Sequence, residues 1–372
     1  MRMMLTASLP NEPFNSLVRA GTVCRNATYE GFSKKVHMSR PNVRAIGAML
    51  AAIFSFAVLA VAQNPSAGAA PSASTPMSFP AWAYPWVPDF TLPPDDGIPR
   101  RVPDSTATFT ITQERDLFFS PDWHPEDHAP MPEVVARGRK PDVRACGSCH
   151  RAEGTGGPEN ANLAGLPAAY IVQQMADYKS GARKFSGPQR SPNVLMTAIA
   201  KAANDDEIQA AAAYFSALKP KSNTKVVETD TVPKTYIARV FVAKLATGGT
   251  EPIGPRIVEV PVDVEQFEHR DSRSQFMVYA PIGSIAKGEA LVKTGGAGQT
   301  IQCAICHGPD LKGVGPIPGI AGRSPSYVVR QLYDFKQGTR AGIGSALMKP
   351  TVEKLTEEDM VSLAAYLASL TP

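Results

Sequence analysis

Cysteine is scarce in this chain of 372 residues, which has only five. Four stand in two pentapeptides, Cys146-Gly147-Ser148-Cys149-His150 and Cys303-Ala304-Ile305-Cys306-His307. The fifth, Cys24, lies in a segment expected to be lost. No cysteine is then left for a structural disulfide or a free reactive thiol. Tryptophan is also sparse, and Trp82, Trp86 and Trp123 all precede the first pentapeptide. A basic excess is missing once the first 62 residues are set aside. Those residues hold seven basic side chains and two acids, leaving 31 basic and 32 acidic residues beyond them. Nucleic-acid binding needs a basic patch or stripe, and so it is not expected.

The pentapeptides are what the rest is built around. Cys-x-x-Cys-His reads as a c-type haem attachment site. Two thiols about one helical turn apart can each form a thioether to a haem vinyl group, and the adjacent His can give the iron its fifth ligand. Without the His, Cys-x-x-Cys would equally suit a redox dithiol or zinc. The trailing His and the second copy favour haem. The expected attachment residues are Cys146, Cys149, Cys303 and Cys306, with His150 and His307 on the irons.

Upstream, Met38 to Arg44 is short and basic. Ala45 to Ala62 is 18 residues without a charge, ending in Ala60-Val61-Ala62 before Gln63. Basic region, apolar region and small-residue site together read as a secretory signal peptide. The alternative is an uncleaved anchor formed by 45–62, at the lower edge of spanning length. Residues 1–37 sit oddly before such a signal, and translation is expected to begin at Met38. Residues 63–78, rich in Ala, Ser and Pro, read as a flexible linker. Residues 79–131 form a Pro-rich, aromatic arm in which repeated Pro excludes a long helix. Its rings either dock a partner or lie buried over the first haem domain, and burial is the expectation. His124 and His128 are possible metal ligands but read more simply as loop histidines.

From about Pro132 the chain repeats. The pentapeptides are offset by 157 residues. At that offset Leu163-Ala164-Gly165 meets Ile320-Ala321-Gly322. Tyr170 to Arg183 meets Tyr327 to Arg340, with seven of fourteen positions identical. Both windows carry apolar residues at helical spacing, and Gly181 and Gly338 stand where a helix end favours positive φ. The register then slips by five, so that Asn204 to Ile208 aligns with Thr356 to Met360. Each begins like a helix, with a capping residue, acids in the first turn and an acid three residues on. Between the repeats, 221–285 is rich in β-branched residues around Tyr236–Leu245 and Ile257–Val262. Two or three strands are expected there.

A Met on the open face of a His-ligated haem gives an electron-transfer centre. The repeat singles out Met196 and Met348, which align once the slip is allowed, in stretches expected to be irregular. Met175 pairs with Leu332 and Met360 with Ile208, so both read as core filler. Met131 and Met277 have no counterpart. Arg183 and Arg340 suit haem propionates or, equally, a solvated helix end. Tyr170 and Tyr327 either reach a haem edge or pack between helices.

These residues resemble the class I cytochrome c domain: an early CxxCH, an L/I-A-G turn, a Tyr-led helix ending in Gly-x-Arg, a Met, and a C-terminal helix. The tandem resembles the dihaem cytochrome c4 type. The resemblance implies a mainly α chain of two small all-α domains, at 132–220 and 286–372. The strand-bearing connector 221–285 joins them, after the arm. It implies two covalent haem c groups, export to the periplasm, and redox proteins as electron donor and acceptor. In such domains a Pro two residues before the turn offers its carbonyl to the ligand His. Pro318 stands there in the second repeat and Ala161 in the first. Unlike this chain, the c4 type has a short linker. An exported dihaem electron carrier is the leading expectation. A haem subunit or dedicated electron acceptor of a dehydrogenase is second, and a dihaem enzyme such as a peroxidase third.

Overall fold

A computed structural model describes residues 79–88, 91–92 and 94–372. The signal segment and the linker expected before residue 79 lie outside the described residues. Both repeats build the same helices for the same local reasons. In the first, Ala168–Ser180 ends at Gly181, which takes φ 77° as the terminating left-handed residue. In the second, Pro325–Lys336 starts at Ser324, whose side chain accepts from the Tyr327 N–H, and Gly338 follows at φ 69°. The last helices are Asp205–Ala217 and Glu357–Ser369. Reciprocal capping boxes start them, Asn204 with Glu207 and Thr356 with Asp359.

The stretches around Met196 and Met348 differ from expectation. Both are helical, Ser191–Ala202 and Ser345–Val352. Pro192 sits in the first turn of the former, where its missing N–H leaves no helical bond unmade. Leu195, Ala198 and Ala200 are good helix formers downstream of it.

The repeats are unequal at their entrances. The second opens with Ser284–Thr294, which crosses the C-terminal helix Glu357–Ser369 in extensive contact. Gly288 makes the crossing possible. A Cβ there would lie 2.7 Å from the Ser362 carbonyl carbon and 2.7 Å from Tyr366 Cβ. The first repeat has only the short helix Glu133–Ala136 at its entrance, then an antiparallel pairing of Gly138–Arg139 with Val143–Arg144. Each repeat has its own apolar core. Val135, Val143, Ala212 and Phe215 centre the first, and Val292, Val329, Leu355 and Ala364 the second.

The connector holds seven short strands rather than two or three. Val258–Pro261, Phe276–Ala280 and Thr224–Glu228 make one sheet. Phe276–Ala280 is central, antiparallel to the first of these and parallel to the last. Thr235–Ala238 pairs with Phe241–Lys244, and Thr231–Pro233 with Thr250–Pro252. The extra strands carry Thr, Lys and Glu, so partners across space rather than local pattern define them.

Among the described residues the arm buries Tyr84 and Trp123 and half-buries its other rings, and not only over the first repeat. Tyr84 enters the core of the second repeat, and Trp82 Nε1 donates to Glu357 Oε1 at 2.8 Å. Buried Arg330 donates to the Ala83 carbonyl at 2.9 Å and buried Arg190 to the Pro85 carbonyl at 3.0 Å. Later in the arm, Ser120 N–H donates to the Ala136 carbonyl of the first repeat. Trp123 packs on Phe109 and donates to the His269 carbonyl of the connector at 2.7 Å. Pairing of arm backbone with buried guanidinium groups decides this path, and no helical or strand period in the arm reports it.

Candidate haem sites

Each pentapeptide folds as one helical turn, Cys146–His150 in the first repeat and Ala304–His307, led by Cys303, in the second. The chain must then turn back sharply. Gly308 does so at φ 86°, and Arg151 at φ 71°, a region costly for a side chain. The turns bring a carbonyl onto each imidazole. His307 Nδ1 lies 2.7 Å from the Pro318 carbonyl and His150 Nδ1 lies 2.8 Å from the Ala161 carbonyl. Only Nδ1–H can donate to a carbonyl, so each ring is set with Nε2 as the free acceptor. Burial pushes both imidazoles below the usual histidine range. A neutral ring with a bare Nε2 is the form that ligates iron.

The leading thiol of each pentapeptide is shielded from water. None of the four cysteines is in a disulfide. Burial pushes Cys146 up to about 12 and Cys303 up to about 11. These two thiols are therefore not ready thiolates, the form a redox nucleophile uses. Among the described residues no group of three or more His, Cys, Asp and Glu is placed to hold a metal ion. His124 pairs with Asp271 at 3.1 Å and His128 with Asp122 at 3.1 Å, as loop histidines.

Met196 and Met348 are both half-buried. The helix of Met196 packs on the strand Val143–Arg144 that leads into Cys146. Met348 and Cys303 pack against the same core, and Thr300 ahead of Cys303 donates to the Thr351 carbonyl at 2.8 Å. Large apolar side chains stand exposed beside these residues, Val194 at 46%, Ile343 at 84% and Leu347 at 70%. Apolar surface of this kind suits a porphyrin face, so the residues present fit a covalent haem.

Arg183 and Arg340 are not solvated, nor do Tyr170 and Tyr327 merely pack. They exchange partners across the repeats. Arg183 donates to Tyr327 Oη at 2.9 Å and to Gln331 Oε1 at 3.0 Å. Arg340 donates to Tyr170 Oη at 2.7 Å and to Gln174 Oε1 at 2.8 Å. Each guanidinium also lies over an aromatic ring of its own repeat, Arg183 over Tyr178 and Arg340 over Phe335. The backbone follows the same pseudo-two-fold, Lys184 N–H to the Thr339 carbonyl and Ala341 N–H to the Ala182 carbonyl, both 2.8 Å. The seven identities in this window carry the signal. Residues kept in both copies of a repeat include those that meet at its symmetry axis. Sequence reasoning missed that consequence.

Fold and site together define a c-type haem protein built from two like units. The family model for cytochrome c matches residues 135–219 and 285–371. Cytochrome c-554(548) of Halomonas halodenitrificans is 35% identical over 88 residues, covering 23% of this chain and 96% of that protein. The thiosulfate dehydrogenase electron acceptor of Thiomonas intermedia is 26% identical, over 62% of this chain and 80% of its own. Cytochrome c4 of Pseudomonas aeruginosa is 24% identical, over 60% and 83%. Among solved structures, a thiosulfate dehydrogenase from Marichromatium purpuratum aligns at 28% identity and TM-score 0.41. The match covers 61% of this chain and 37% of that one. The chain belongs to the cytochrome c family, as a tandem class I member with two covalently bound haem c groups.

Proposed function

We propose that the chain is an exported, periplasmic dihaem electron carrier and not itself an enzyme. Its domains lie at 132–220 and 286–372, with an extension of linker and arm at 63–131 and the connector at 221–285. Cys146 and Cys149 hold one haem, and Cys303 and Cys306 the other. His150 with Met196, and His307 with Met348, would serve as the iron ligands and leave no place for a substrate. Haem so bound supplies one-electron cycling between Fe(II) and Fe(III). The repeated His-to-carbonyl geometry carries this reading, because it prepares the same free Nε2 twice. Ala161 and Pro318 hold the rings; the Arg–Tyr–Gln lattice holds the repeats in fixed relation. Arg340 Nε, buried without a partner, is a donor suited to a propionate. Among the described residues no helix is long and apolar enough to cross a membrane.

The test is spectroscopic. The oxidised holo-protein is expected to show the Fe–Met charge-transfer band, and Met196→Ala and Met348→Ala are each expected to remove about half of it. A band that survives both substitutions refutes the ligand assignment. The relatives named as thiosulfate dehydrogenase electron acceptors support a second reading, an acceptor dedicated to one dehydrogenase. Stoichiometric co-purification of a catalytic subunit from the native source distinguishes it; a chain that purifies alone opposes it.

A further inference from the structure

The internal repeat acts as its own control, because it presents one element in two settings. In the second repeat the attachment turn faces solvent. Cys306 is exposed, and Ile305 between the cysteines is 69% exposed. In the first repeat the residue at the place of Ile305 is Ser148, at 0%. The arm and the first repeat's own entrance helix lie so close over its neighbour Gly147 that a Cβ there would stand 2.9 Å from Ser120 Cβ of the arm and 3.0 Å from the Val135 carbonyl oxygen of the helix. From the other side Arg270 of the connector donates to the Ser148 carbonyl, and Ser272 Oγ accepts from the Glu153 N–H at 3.4 Å.

Arg151 strengthens the closure. Its counterpart is Gly308, the residue that the left-handed turn favours. Arg151 takes the same turn at φ 71° against that preference and is 3% exposed. Its guanidinium stacks over the Phe267 ring at 4.9 Å and donates to the Phe267 carbonyl at 3.3 Å. A strained backbone that places a buried cation on the connector is maintained by the contacts around it. The small pair Gly147-Ser148 against Ala304-Ile305 follows the same logic, since only the covered turn must be small.

We propose that electrons enter and leave this chain through the attachment edge of the second haem, around Ile305 and Cys306. The connector, held by Arg151 and Arg270, closes the corresponding edge of the first haem, which exchanges electrons through the second. The proposal rests on the haem assignment above. A pyridine haemochrome assay separates the two: other than two haems per chain refutes that assignment, whatever the kinetics. With two haems confirmed, the fully reduced holo-protein is mixed with ferricyanide in a stopped-flow instrument. Ile305→Glu places an anion at the open edge without disturbing the core. It is expected to slow oxidation of both haems about fivefold at low ionic strength, with the effect shrinking as salt screens the charge. If the first edge exchanges directly, half the absorbance change keeps its wild-type rate, or the whole slows by no more than about twofold, and the proposal fails. Adding Arg270→Ala to Ile305→Glu is expected to restore a fast phase through the first edge. A double variant that stays uniformly slow overturns the connector's role as the closure.

Discussion

Gly288→Ala tests the packing that carries the second haem unit. The Cβ would overlap the Ser362 carbonyl and stop 2.7 Å from both its carbon and Tyr366 Cβ. Ordinary contacts need ~3.5 Å, and the overlapped carbonyl oxygen asks for the most, so the helices Ser284–Thr294 and Glu357–Ser369 must part by about 1 Å. Leu291, Val292, Leu363, Ala364 and Leu367 are buried in this unit's core. A gap of that size forfeits a quarter to a half of the dispersion attraction across the crossing. Overpacking against backbone costs about 1–3 kcal/mol, here toward the upper end because neither obstacle is a flexible side chain. Alanine's better helix propensity returns about 1 kcal/mol. The net loss is about 2 kcal/mol, or roughly 10 °C in midpoint for a unit of this size. Gly344→Ala is the control, since φ is −69° there and nothing stands near a Cβ. It is expected to stay within about 0.5 kcal/mol of wild type. Thermal and urea unfolding of the holo-protein, followed by far-ultraviolet circular dichroism, measures both. A Gly288→Ala chain that melts with or above the wild type refutes the close crossing.

Other perturbations address the contacts between elements. Arg183→Ala and Arg340→Ala each leave a Tyr hydroxyl and a Gln amide of the opposite repeat short of a donor, and each is expected to cost about 3 kcal/mol in urea titration. Both arginines bond Gln174 and Gln331, so the double variant is expected to lose less than the sum; strict additivity argues against a shared lattice. At the junction of arm and connector, the carboxylate of Glu114, 2.8 Å from His269 Nδ1, holds that imidazole above the usual histidine range. Its contribution to stability is fully present below the ordinary histidine value and is lost as pH rises through the raised one. Unfolding midpoints are therefore expected to fall between slightly acid and slightly alkaline pH, and Glu114→Gln to flatten that slope. An unchanged slope in the variant removes the pair as its cause.

Much of this protein was legible along the chain because its causes are short in range. A thioether pair and its adjacent ligand must lie within one helical turn, so two CxxCH pentapeptides point to two covalent haems, the number the family bears out. Capping boxes at Asn204 and Thr356, and left-handed glycines at 181 and 338, act within four residues and formed as their residue types require. The internal repeat made two like units plain. What local pattern could not report is which surfaces meet. Met196 and Met348 are carried on helices, the first started by Pro192 in its opening turn and the second formed despite Pro350 in its interior. Tyr84 is buried and Trp82 half-buried, but on the second repeat, where Arg330 binds the arm's backbone. The exchange of Arg183 and Arg340 between repeats, and the roof of Arg151 and Arg270 over the first attachment turn, join residues more than a hundred positions apart. The sequence by itself determined a doubled haem unit, since covalent chemistry and helix capping are read residue by residue. Only the tertiary structure decided that the first Cys-x-x-Cys turn is covered at Ser148 and the second exposed at Ile305, since that depends on how a connector with no period of its own packs.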